Sequence, residues 1–235
     1  MRVAFDQATF LFGDAVARGF PAPDAVVVRL RMTPAERVLY DAYVSTFRTV
    51  YRRFRAHMPE GTWRDFLAMA SRWPDGRAAV WAFRMSRRIT SLTQAKRTAI
   101  ATLLRRHHGR RILVFTQDND AAYAIAREHL VMPVTCDIGR SEREEALAAF
   151  RAGELRVLVS ARALNEGIGV PDADVAIVAG GAAGEREHVQ RLGRLLKPRP
   201  GWRAAVYELV MMRTHETRQS LERRRGFVPS VHAVA

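Results

Sequence analysis

The sequence predicts an α/β protein: a doubly wound parallel sheet preceded by a helical segment. Three observations carry the prediction. From Arg111 onward, short apolar runs alternate with helix-length amphipathic stretches, the texture of strand-helix-strand units. Between about residues 33 and 108 that alternation is missing and helix signals dominate. Finally, Val157-Leu158-Val159 reads as a buried strand that runs into a polar, glycine-bearing loop. In such sheets ligands gather at loops beyond the carboxyl ends of the strands, which is where the polar residues of interest fall.

Taken in order, Ala25-Val26-Val27-Val28-Arg29-Leu30 follows Gly19, Pro21 and Pro23, a strand after a loop. Thr33-Pro34-Ala35-Glu36 starts a helix: threonine caps, proline suits the first turn, and glutamate completes a capping box. That helix is expected to reach Met58, where Pro59-Glu60-Gly61 breaks it. Further helices are expected near 62–71, 78–89 and 93–107. Strands are expected near 111–116, 132–136, 155–160, 173–178 and 204–210, with helices near 119–130, 141–152, 185–196 and 214–224. Trp63, Phe66, Trp73, Trp81 and Phe83 read as packing residues of the helical segment, whose Arg52, Arg53 and Arg55 form a basic cluster able to touch DNA.

Composition narrows the function classes. At 235 residues, 48% hydrophobic and 26% charged, the chain can bury a sizeable core in one or two domains. No apolar run approaches the roughly 20 residues of a membrane helix, and no secretory leader pattern opens the chain, so the cytoplasm is expected. Cys136 is the only cysteine, which excludes disulfides within the chain and cysteine-rich metal sites; its apolar, strand-like surroundings predict a core residue. His107, His108, His129, His188, His215 and His232 show no paired spacing with carboxylates that would suggest zinc, and read as surface or helix-end residues. A net charge of +14 and a pI near 11.2 point to a polyanion partner. Lys96 and Lys197 are the only lysines among 38 basic residues, an arginine bias that genome composition also produces.

The most informative stretch is Gln190-Arg191-Leu192-Gly193-Arg194-Leu195-Leu196-Lys197. As a helix it sets Glu187, Gln190, Arg194 and Lys197 on one face with Arg191 beside them, and Val189, Leu192 and Leu196 on the other. Gly193 inside it suggests the close approach of a backbone or ligand, since glycine there costs roughly 1 kcal/mol against alanine. On these residues alone, a surface helix with solvated arginines remains an equal reading. Gly180-Gly181-Ala182-Ala183-Gly184 lacks the Gly-x-Gly-x-x-Gly spacing of a dinucleotide site.

Three stretches in order, Ile112 to Asn119, Val157 to Ala173 and Gln190 to Lys197, resemble motifs four, five and six of superfamily-two helicases. The likeness is to the XPB-like DNA repair branch and covers about residues 109–225, while Leu30 to Arg37 and Tyr40 resemble that family's link between lobes. The resemblance implies the second of two RecA-like lobes, with residues 1–32 as a remnant of the first lobe or the link, 33–108 as a helical linker or insertion, and 226–235 as a tail. It implies ATP with magnesium shared with a first lobe, and DNA and a phosphate-loop lobe in cis or trans as partners. By this likeness Arg194 is an arginine finger, Lys197 stands where the family has its second, and Gln190 and Arg191 join the nucleotide to the lobe interface. Asn165, Glu166, Gly167 and Gly169 belong to the loop that couples nucleotide state to grip on DNA. Thr116, Gln117, Ser160 and Arg162 are candidates for contacts with one DNA strand, at strand ends where a hydroxyl or guanidinium suits phosphate.

Departures from the family pattern are specific. Lysine at 197 keeps the charge but not the planar fork of arginine, Gly169 stands where the family has aspartate, and Ala161 where it often has threonine. A phosphate loop needs Gly-Lys followed by Ser or Thr; Lys96 lies between Ala95 and Arg97, and Lys197 between Leu196 and Pro198. No Asp-Glu pair occurs either. These 235 residues are therefore expected to hydrolyse no ATP alone. Two classes of function remain: one lobe of an ATP-driven DNA repair helicase, or a non-catalytic module that binds DNA or a repair partner such as a nuclease.

Overall fold

The computed structural model describes residues 10–11, 24–161, 172–180, 204–224 and 228–229. Contacts divide the chain into two compact units, residues 32–94 and the remainder.

The first unit is three helices. Helix α1 (Pro34–His57) opens on the expected capping box: the Glu36 amide donates to Thr33 Oγ1 at 3.3 Å and the Thr33 amide to Glu36 Oε2 at 2.9 Å. Helix α2 (Trp63–Ala70) repeats the device with Thr62 and Asp65, and the hydrogen bonds from Thr62 hold the Asp65 carboxyl below its ordinary range. Helix α3 (Gly76–Ser91) closes the bundle. Val50, Phe54, Phe66, Ala70 and Ala79 form its core, with Phe47, Tyr51 and Trp73 packed alongside. The tryptophans do not all behave as expected, because Trp63 and Trp81 remain 41% and 55% exposed while packing by ring edges and faces on Phe83 and Tyr43 respectively. Of the basic cluster, Arg53 stacks on Trp73 at 4.3 Å and pairs with Asp75, and Arg55 donates to Gly61 O at 3.0 Å, so both are used within the unit.

Gly76 is where this bundle tolerates least. A methyl there would lie 1.9 Å from the Ala70 carbonyl oxygen and 2.6 Å from its carbonyl carbon, both backbone atoms at the end of α2. Gly76→Ala is expected to cost about 1–3 kcal/mol through overpacking. Thermal unfolding checks this against Gly139→Ala, where nothing lies within 4 Å of the added methyl and no comparable loss should appear.

The second unit is built on a six-stranded parallel sheet. Strands β2 (Asp24–Leu30), β3 (Ile112–Thr116), β4 (Met132–Val134), β5 (Val157–Ala161), β6 (Val175–Val178) and β7 (Ala205–Met211) lie in the order β2-β7-β6-β3-β5-β4. The fold class is the one the sequence predicts. All five residues of β3 are buried, as a strand covered on both faces requires. Helices α4 (Gln94–Arg106), α5 (Asn119–His129), α6 (Arg140–Ala152) and α7 (His215–Arg224) accompany the sheet. On one face Leu113, Phe115, Leu158, Val178 and Val206 pack with Ala146, Leu147 and Phe150 of α6. A two-residue antiparallel pair, β1 (Phe10–Leu11) with β8 (Val228–Pro229), stands apart from the main sheet. The helix expected at 185–196 lies outside the described residues.

Two expectations about single residues are corrected. Cys136 is exposed, because β4 stops at Val134 and the buried Thr135 side chain, joined to the Tyr123 hydroxyl at 2.8 Å, leaves its neighbour facing outward. His107 is buried at the end of α4, with Nε2 at 2.9 Å from the Tyr207 hydroxyl of β7. Burial, with the charges of Arg106 and Arg110, holds its pKa below the usual 6.5. The unfolded chain then binds a proton that the fold resists, so stability falls as pH drops through about 6.5. Melting temperatures from pH 7.5 down to 5 should fall less steeply for His107→Gln than for the wild type. Equal slopes would remove His107 as the cause.

Candidate functional site at the carboxyl edge of the sheet

All six strands run in one direction, so their carboxyl ends form one edge, the place where such sheets bind ligands. At its centre β3 gives way to Gln117 and to Asp118, whose carboxylate caps α5 by accepting the Ala121 amide at 2.8 Å. Thr116 Oγ1 donates to Asp118 O at 2.9 Å and approaches Ser160 O of β5 at 3.4 Å. Thr116 and Ser160 are thus brought together, yet they are 4% and 1% exposed, and their hydroxyls face into the protein. Gln117 is half-buried beside Gly180, where an added methyl would lie 3.1 Å from Gln117 Cβ.

Toward β4 the edge is tied by polar side chains. Asn119 Nδ2 donates to Asp137 Oδ2 at 2.7 Å and contacts Cys136 Sγ at 3.1 Å, and Arg143 of α6 donates to Thr135 O at 3.2 Å. Toward β7 lies a pair that sequence reasoning missed. Lys96, fully buried in α4, donates to the Ala179 carbonyl that follows β6 and to Glu216 Oε1 at 2.7 Å. Glu216 Oε2 in turn accepts the Met211 amide at 2.9 Å, at the end of β7. Arginine prevalence was the available signal, since a lysine is a marked choice in this chain. Arg162, Asn165, Glu166, Gly167, Gly169, Gln190, Arg191, Arg194 and Lys197 lie outside the described residues.

The helicase conserved C-terminal domain family matches residues 95–198, from Lys96's helix through the motif-six stretch. The chain is 37% identical over 156 residues to the DNA 3'-5' translocase XPB2 of Sulfurisphaera tokodaii, covering 66% of this chain and 35% of that protein. It is 28% identical over 202 residues to the DNA 3'-5' helicase XPB of Mycobacterium tuberculosis, covering 85% of this chain and 30% of the relative. The chain belongs to the XPB-like superfamily-two helicases, in their C-terminal RecA-like region. This helicase region spans about a third of the length of the relatives it matches. Its fold agrees with solved structures. The Sulfolobus solfataricus SWI2/SNF2 ATPase core domain matches 90% of the chain with 45% of its own, at TM-score 0.60 and 18% identity. The C-terminal domain of that ATPase matches 86% of each at TM-score 0.57 and 15% identity. Among the described residues no helix of the lobe is long and apolar enough to cross a membrane.

Proposed function

We propose that this chain is the second lobe of an ATP-driven DNA translocase or helicase acting in DNA repair, and that it supplies Arg194 as the finger on the transferring phosphoryl group. The observation that supports this most is the family match over residues 95–198, joined to a parallel sheet whose motif-four and motif-five strand ends meet at Thr116 and Ser160. Gln190, Arg191 and Lys197 complete the nucleotide-facing set, and Asn165, Glu166, Gly167 and Gly169 couple it to the DNA. Because the hydroxyls of Thr116 and Ser160 are buried, their part is to shape the edge, while Gln117 and Arg162 reach the phosphates. The net charge of +14 draws the duplex in.

Magnesium belongs with the other lobe. Among the described residues no three His, Cys, Asp or Glu side chains stand together, so no step is assigned to a metal held by this chain. ATP and magnesium would be gripped by a phosphate-loop lobe, in the same polypeptide or a separate one, in the cytoplasm. The test is complementation: the pure chain should show no DNA-stimulated ATP hydrolysis, and adding a phosphate-loop lobe should produce it. Hydrolysis by the pure chain would overturn the division of labour.

A second reading rests on Gly169 and Lys197, both departures from the family pattern. In it the lobe is a non-catalytic module that binds DNA or a repair partner such as a nuclease. Salt-dependent DNA binding that ignores both ATP and the added lobe would select it.

A further inference from the structure

Lysine is an unusual choice in this chain, used at 2 of 38 basic positions. One of them, Lys96, is wholly buried. Its ammonium carries several donors on one compact atom, so it serves the Ala179 carbonyl and Glu216 Oε1 from a single point; a guanidinium is a wide, planar fork. Glu216, 4% exposed, spends its other oxygen on the Met211 amide. One buried ion pair therefore holds the exits of two neighbouring strands, β6 and β7, against α4.

The exit of β6 is held from other sides as well. The Ala179 amide donates to Phe115 O at 2.8 Å, and Gly180 abuts Gln117 closely enough that a methyl would meet Gln117 Cβ at 3.1 Å. Ala179 and Gly180 are the last described residues before segment 181–203, the part of the sequence that carries Gln190, Arg191, Arg194 and Lys197. Stability does not account for such a pair. Replacing a buried ion pair by well-packed apolar residues is often neutral or stabilising, whereas a buried pair can specify one arrangement over others.

We propose that Lys96 and Glu216 are positioning residues: by fixing the Ala179 carbonyl and the Met211 amide, their buried pair sets the departure of segment 181–203 and hence the placement of Arg194. The inference rests on the finger reading given above for Arg194, and adds that placement of the finger is set from α4 and α7.

The experiment compares the wild-type chain with Lys96→Met/Glu216→Leu, an apolar pair chosen to keep the fold. Hydrogen exchange is followed by peptide. Exchange should quicken within 181–203 while peptides of α5 and α6 keep their wild-type rates. With the phosphate-loop lobe present, kcat for ATP should fall by about 10²-fold, the scale of a misplacement of about 1 Å, with KM little changed. Lys96→Arg should reproduce the loss in kcat although it keeps the charge. Unchanged exchange in 181–203 of a folded double variant overturns the proposal, and so does a uniform rise across the chain. Faster exchange confined to 181–203, together with Arg194→Ala hydrolysing ATP normally, would sink the finger reading and leave the pinning standing.

Discussion

Arg194→Ala, in the chain assembled with its phosphate-loop lobe, is expected to lower kcat for ATP hydrolysis by about 10³-fold or more. The reason is the timing of charge. As the phosphoryl group transfers, negative charge spreads over its oxygens, and a guanidinium offers paired donors where that charge develops. An interaction made chiefly in the transition state raises kcat and leaves KM nearly unaltered, so KM for ATP should stay within a few-fold of wild type. Arg194→Lys should recover part of the rate, since charge survives and the fork does not. Lys197→Arg tests the converse: restoring the fork at 197 should raise kcat. Steady-state hydrolysis with saturating DNA measures all three, and a kcat unmoved by Arg194→Ala would remove the finger from the mechanism.

Lys96→Ala should be the most destabilising of the single substitutions considered, by about 3–5 kcal/mol. The alanine leaves the Glu216 carboxylate at 5% exposure with its cation gone, and takes the ammonium donor from the Ala179 carbonyl. An uncompensated buried charge is costly because water cannot reach it. At roughly 2–4 °C per kcal/mol for a chain of this size, the melting temperature should drop by about 6–20 °C. The double apolar variant should not share that fall, since it removes both charges together. A loss below about 1 kcal/mol for Lys96→Ala would mean that the site admits water or that Glu216 is neutral, and the buried pair would lose its meaning.

Much of this architecture is legible one stretch at a time. Val157-Leu158-Val159 and Ile112-Leu113-Val114 announce buried strands, and Thr33 and Thr62 start helices through capping boxes confined to four residues. Local pattern cannot name distant partners. It marks Val26-Val27-Val28 as a strand but does not say that it pairs with Tyr207, Glu208 and Leu209. It shows Lys96 on a helix but not Glu216 waiting 120 residues away. His107 looks like a helix-end histidine until Tyr207 covers it, and Cys136 looks like core because nothing nearby marks the strand as ending at Val134. At the candidate site the order of motifs was readable, whereas the inward turn of the Thr116 and Ser160 hydroxyls depends on the packing of neighbouring strands.

The pairing of Asp24 with Ala205 and of Leu30 with Met211 carries a cost during synthesis. Strand β2 leaves the ribosome first among the six strands and has no partner until β7 emerges, almost a whole chain later. At about 5–20 residues per second the delay is on the order of ten seconds. Throughout it, Ala25-Val26-Val27-Val28 is a short, uncharged, β-prone run of the kind that pairs with other chains. The helices of 32–94, built on near-neighbour contacts, can form behind it meanwhile. A nascent chain stalled before residue 205 should therefore hold this run open to chaperones, and release from them should coincide with the arrival of β7.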